Sequence, residues 1–85
     1  MTTISKEEDI MNKARRKIIE NATELLENAR SLIEQAMDEE QECYDNLPEG
    51  LQESSRGLTM EENIECLEDI INAIEEALER GMEIQ

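Results

Sequence analysis

The chain has no histidine, phenylalanine or tryptophan, and its 85 residues hold a single tyrosine, a single proline and three glycines. Each shortage excludes something. Without histidine the usual proton carrier near neutral pH and the commonest nitrogen ligand for metals are missing, and no Ser/His/Asp or Cys/His nucleophile can be assembled. The cluster Lys13/Arg15/Arg16/Lys17, the only candidate for nucleic-acid contact, has no aromatic neighbour on which bases could stack. A core of Ile, Leu, Met and Ala is also thin for a domain of this length, so self-association is expected. The two cysteines, Cys43 and Cys66, have neither CxxC nor Cys/His spacing, so reduced thiols and a cytoplasmic setting fit best. No apolar run approaches the roughly 18 residues of a membrane span, and the N-terminus lacks the apolar segment of a signal peptide. The whole of 1–85 reads as one domain.

What is present is acid. Twenty-three Asp and Glu face eight Lys and Arg, for a net charge of -15. The excess is one-sided. Lys6, Lys13, Arg15, Arg16, Lys17 and Arg30 balance the six acids of residues 1–30, whereas residues 31–85 carry 17 acids against Arg56 and Arg80. A chain of this charge repels phosphate, so direct nucleic-acid binding is not expected. The asymmetry marks either a solvated helix face or a surface for a basic partner.

The pattern is helical. Ser5 and Glu8 form a capping box. Three columns then repeat every seven residues: Ile18/Leu25/Leu32, Ile19/Leu26/Ile33 and Ala22/Ala29/Ala36/Cys43. A helix over about 6–45 follows. A second capping box, Thr59 with Glu62, opens a helix over about 60–81 whose stripe is Met60, Ile64, Leu67, Ile71, Ile74 and Leu78, widened by Ile70 and Ala77. Gly81 is its stop. Between them lies "DNLPEGLQESSRG". Asn46 with Glu49 resembles a further cap, and Pro48 suits a first helical turn, so a short helical turn over about 48–54 is expected. Leu47, Leu51 and Leu58 are spaced to tuck under this end, and Gly57 is the residue expected to take a positive φ. Glu49, Gln52, Ser54 and Arg56 are expected to face water, with Arg56 either paired to Glu49, Glu53 or Glu61 or free for a partner.

The fold class is all-α, a long antiparallel helical hairpin. Folded back, the second helix reaches about Thr23 or Glu24, which leaves Ile10, Met11, Ile18, Ile19 and Ala22 without cover in the chain. A homodimer forming a helical bundle is the simplest remedy.

One enzyme-like pattern occurs. All-α nucleotide pyrophosphatases bind magnesium through Glu-x-x-Glu on one helix and Glu-x-x-Asp on the next, and Glu39/Glu42 with Glu62/Glu65/Glu68 approach that spacing. The second pair ends in Glu, no basic residue follows to hold phosphates, and 23 acids produce such spacings by chance. No catalytic residue, metal ligand or cofactor is assigned.

The segment "YDNLPEGLQESSRG" followed by "MEENIECLEDIINAIEEALE" resembles small acidic helical proteins of bacterial phages and mobile elements, which read roughly Asn-Leu/Ile-Pro-Glu-x-Leu-Gln-x-Ser-x-Arg before an acidic helix. Asn46, Pro48, Glu49, Leu51, Gln52, Ser54 and Arg56 carry the likeness, which covers about Glu42 to Glu79. The resemblance implies a phage-type accessory protein in a bacterial host. Joined to the charge, it suggests a non-catalytic inhibitor or modulator of a nucleic-acid-handling or defence complex, anti-CRISPR-like in type, whose acidic helices mimic nucleic acid before a basic host protein such as a defence nuclease. Candidate contacts are Asp38, Glu39, Glu42, Glu49, Gln52, Arg56, Glu62, Glu65 and Glu68. The alternatives are an assembly module that only oligomerises, and a sponge that captures a nucleotide signal with Arg56 or the basic cluster.

Overall fold

The computed structural model describes residues 12–84. Two helices, α1 (Lys13–Asp45) and α2 (Ser55–Met82), pack against each other as an antiparallel hairpin. The expected architecture is therefore present, with changes at three boundaries.

The first change is at the start of α1. Asn12 has an extended backbone (ψ 166°), and its side-chain oxygen accepts from the Arg15 amide at 2.9 Å, so this helix is capped there rather than running on from Lys6. The Ser5/Glu8 box, Ile10 and Met11 lie outside the described residues. The second change is at the start of α2, which begins one turn early. Ser54, not Thr59, is the cap, and its Oγ accepts from the Gly57 amide at 3.3 Å. Thr59 lies inside the helix and donates to the Ser55 carbonyl at 2.9 Å.

The third change is in the connection. Turn-type bonds from Leu51 N to Pro48 O (2.9 Å) and from Ser54 N to Leu51 O (3.1 Å) order it, but no helix forms. Asn46 closes α1 as its C-cap instead of opening a new turn. The positive φ belongs to Gly50 (92°), not Gly57. Gly57 is helical and buried, and its role is close approach: a Cβ there would stand 2.2 Å from the Gln52 carbonyl oxygen.

The two helices meet along one seam with alternating spacings of four and three, the period of a two-stranded coil. From α1 the seam residues, all half-buried, are Ile19, Thr23, Leu26, Arg30, Ile33, Met37, Glu40, Tyr44 and, past its end, Leu47, with Arg16 and Ala29 half-buried as well; from α2 they are Met60, Ile64, Leu67, Ile74, Leu78 and Gly81, with Gly57 and Ile71 buried. The six-residue α2 stripe from Met60 to Leu78 is the one expected, whereas Ile70 and Ala77, expected to widen it, are exposed. Ile19 is corrected: Gly81 and Ile84 line the same cleft, so it has cover within the chain. Ile71, 7% exposed, is the only apolar side chain among the described residues that is buried. Half-burial contributes about 1 kcal/mol per side chain, against about 1.5–3 for full burial. Polar contacts fix the register: Asn63 Nδ2 donates to Glu40 Oε2 at 3.2 Å, and Arg30 lies 3.8 Å from Glu75. Both partners of that ion pair are a third to a half exposed, so it adds at most about 1 kcal/mol.

Successive helix residues step about 100° around the axis. The residue before each seam position therefore faces one flank, and the residue after it faces the other. Because the helices are antiparallel, the two "before" rows share one flank of the hairpin and the two "after" rows share the opposite flank. Leu58, which follows Gly57 in the seam, is thereby turned outward. It is 54% exposed and Leu51 is 49% exposed, so only Leu47 tucks under the turn as expected.

Gly57→Ala should destabilise the hairpin by about 1–3 kcal/mol through overpacking on the Gln52 backbone, despite alanine's better helix propensity. Gly81→Ala, whose added Cβ would meet nothing nearer than Thr23 Oγ1 at 3.9 Å, should be neutral or stabilising by up to about 1 kcal/mol. Urea unfolding followed by helical circular dichroism checks the pair, and equal effects would contradict the close approach.

Candidate functional site

The "after" flank is a sheet of carboxylates. Glu20, Glu24, Glu27, Glu34, Asp38 and Asp45 supply it from α1, and Glu61, Glu65, Glu68, Glu75 and Glu79 supply it from α2. All eleven are exposed. They are placed by the same four-three spacing as the seam, one position later. Glu20 to Asp45 spans about 38 Å at about 1.5 Å per residue. Eleven charges over that length give one per about 3.4 Å, the line density of a single nucleic-acid strand. Cations reach this flank at few points: among the described residues Lys17 lies 4.0 Å from Glu20, and Arg30 lies 3.8 Å from Glu75.

Near the turn the flank narrows to a shallow groove lined by Gln41, Tyr44, Ile64, Glu61, Glu65 and Glu68. The Tyr44 phenol is held above its ordinary pKa, first by partial burial and then by the Glu61 carboxylate beside it, with Asp45 and Glu53 adding to the effect.

The sequence-derived contacts divide. Asp38, Glu65 and Glu68 lie on the carboxylate flank. Glu42 and Glu62 are exposed on the outer backs of their helices, and Glu49 is exposed in the turn. Glu39 falls on the opposite flank. Gln52 and Ser54 are corrected, since neither simply faces water. Gln52 is half-buried and donates from Nε2 to the Tyr44 carbonyl at 3.1 Å, an end-of-helix acceptor that also takes the Leu47 amide at 3.1 Å. Ser54 is spent on capping α2. Arg56 is exposed and makes no ion pair within 4.0 Å among the described residues, so the pairing with Glu49, Glu53 or Glu61 is not formed.

The two Glu-x-x-Glu pairs do not converge. Glu39 sits on the opposite flank from Glu65 and Glu68, and among the described residues no group of three or more His, Cys, Asp or Glu could hold a metal ion. Cys43 and Cys66 are free and exposed. No helix of the described residues is long and apolar enough to cross a membrane.

The carboxylate flank escaped the sequence reading because it depends on the rotational phase of both helices. The signal was available, since Glu61, Glu65 and Glu68 each follow a residue of the α2 stripe. No protein-family model, no curated protein and no solved structure matches the chain.

Tyr44 is the only aromatic residue, so ultraviolet absorbance reads its ionisation alone. The midpoint should lie above about 10, and Glu61→Gln should lower it by removing the adjacent charge. The fold holds the phenolic proton more tightly than the unfolded chain does. That increment of stability is present below about pH 10 and is lost as pH rises through the folded value. A midpoint unmoved by Glu61→Gln would mean that the carboxylate is not beside the ring.

Proposed function

We propose that this protein acts without catalysis, by laying its carboxylate flank into the basic channel of a nucleic-acid-handling protein and competing there with a nucleic-acid strand. The observation that carries this reading is the row of eleven exposed acids at a strand's charge spacing. The opposing potentials would speed encounter and make binding depend strongly on salt. At the turn end Leu51, Leu58 and Arg56 stand exposed, Leu58 on the carboxylate flank and Arg56, which precedes Gly57 in the seam, on the opposite one, and they offer apolar and guanidinium contacts of the kind found in protein interfaces. The likeness of Asn46–Arg56 to phage proteins supports a bacterial host target such as a defence nuclease, in the manner of an anti-CRISPR.

The assembly-module reading has its own support. Ile18, Leu25 and Leu32 are 65–69% exposed along one line of α1, more apolar surface than a solitary hairpin requires. The nucleotide-sponge reading has less: Arg56 and the Lys13–Lys17 cluster occupy opposite ends of the hairpin, so a ligand would be held by only one of them, and Arg56 is a single cation in an acidic half of the chain.

The full chain immobilised as bait should capture basic proteins from bacterial lysate at about 0.1 M salt and release them at about 1 M, where the screening length falls from about 10 Å to about 3 Å. A single-stranded oligonucleotide should displace the same proteins, and the Asp38→Lys/Glu65→Lys/Glu68→Lys variant should fail to capture them while keeping its helicity. Capture that survives both the oligonucleotide and the triple substitution would refute strand mimicry. Recovery of nothing but the chain itself would favour the assembly module.

A further inference from the structure

The flank opposite the carboxylates presents, along α1, Arg15, Ile18, Ala22, Leu25, Ala29, Leu32, Ala36 and Glu39, spaced three and four in alternation; all but the half-buried Ala29 are exposed. The same flank of α2 carries Cys66, Ile70, Ala73 and Ala77 in its middle, with Arg56, Thr59 and Asn63 toward the turn and Arg80 toward the other end. We propose that this face binds a second copy of the chain, with the two α1 helices antiparallel and a two-fold axis at the height of Glu27.

The row is complementary to itself about that point. Each residue finds its counterpart in the second copy at the same distance beyond the axis: Arg15 opposite Glu39, Ile18 opposite Ala36, Ala22 opposite Leu32, and Leu25 opposite Ala29. Every large side chain meets an alanine, so the helices can approach closely, and an ion pair closes each end of the row. A two-fold interface needs this reciprocity, because one patch must serve as both partners.

Charge selects the orientation. Lys13, Arg15, Arg16 and Lys17 occupy the first turns of α1, where the helix dipole disfavours cations. Among the described residues only Lys17 has an ion-pair partner, at 4.0 Å. The antiparallel arrangement brings these four to the height of Asp38, Glu39, Glu40 and Glu42 of the second copy. A parallel arrangement would set like charges against each other at both ends. Size also suits a second copy. The overlap from Lys13 to Gln41 runs about 42 Å, and a hairpin of two helices is about 20 Å wide, giving a footprint of about 800 Å² per copy, that of a standard stable interface. This inference does not depend on the strand-mimicry reading, and both carboxylate flanks stay outward in the dimer.

The test uses the purified full chain alone, so its failure is separate from failure to bind a host protein. Light scattering over a dilution series should give twice the 9.8 kDa chain mass. Leu25→Asp should give 9.8 kDa with the helical signal kept, because Leu25 is 69% exposed in the hairpin. Arg15→Glu should weaken dimerisation about tenfold, since two pairs are lost per dimer. Arg15→Glu combined with Glu39→Arg should restore it to within about twofold. The charge swap carries the test should Leu25→Asp lose its fold. A monomeric wild type, a dimeric Leu25→Asp, or a double charge variant weaker than either single one would overturn the proposal.

Discussion

Everything in this hairpin depends on one seam. Two helices alone share a single interface, and a seven-residue period keeps it straight along their joint length. The seam is thin: Ile71 is its one buried apolar side chain among the described residues, and three α1 positions are Thr23, Arg30 and Glu40. Yet its phase decides what every other residue does. One step before the seam places a residue on the apolar flank, and one step after places it among the carboxylates. The short connection protects that phase. Gly57 sits against the Gln52 backbone, and Gln52 is tied to the last turn of α1, so rotation of α2 about its own axis would disturb the turn.

The carboxylate flank is a net cost to folding. Neighbouring acids in one row stand about 5 Å apart, and in water two such charges repel by roughly 0.8 kcal/mol before salt screening. Few cations touch the flank, so little of that repulsion is offset within the chain. The cationic start of α1 opposes its own dipole in the same way. A regular array of acids placed by the seam's period, and a cluster of cations at the head of α1 of which only Lys17 has a partner among the described residues, are poor devices for stabilising a monomer. Both become favourable only when another molecule supplies the opposite charge.

The all-α hairpin and the α2 stripe were legible in the sequence because period and capping residues are local signals. The boundaries that failed were tertiary decisions. Ser54 and Thr59 are both competent caps, and the extra turn from Ser55 is settled by a contact no local rule contains, the packing of Gly57 on Gln52. The same contact takes Gly57 out of the positive-φ role and leaves it to Gly50. Among the three apolar columns of α1, Ile19/Leu26/Ile33 enters the seam and Ile18/Leu25/Leu32 does not. Periodicity makes these columns equivalent, and only the partner helix separates them. Of the candidate contacts, the acids were correctly read as exposed, whereas Gln52 was not, because a polar side chain in a turn can serve a helix end as readily as a partner.

Placing unlike surfaces on opposite flanks has a physical consequence for how the molecule works. A helix is about 10 Å across, so charges on the carboxylate flank lie about one screening length from the apolar flank at physiological salt. Binding on one side therefore changes the field on the other only weakly, and self-association and capture of a basic partner can proceed together. Association would then add to capture in a specific way. Two antiparallel hairpins would present two carboxylate flanks facing apart, with a turn end at each extremity of the assembly. A bivalent ligand of this kind gains avidity only when both basic surfaces lie within reach of one rigid body. Such a dimer would favour targets that are themselves paired, or that expose two basic channels, over a lone basic patch.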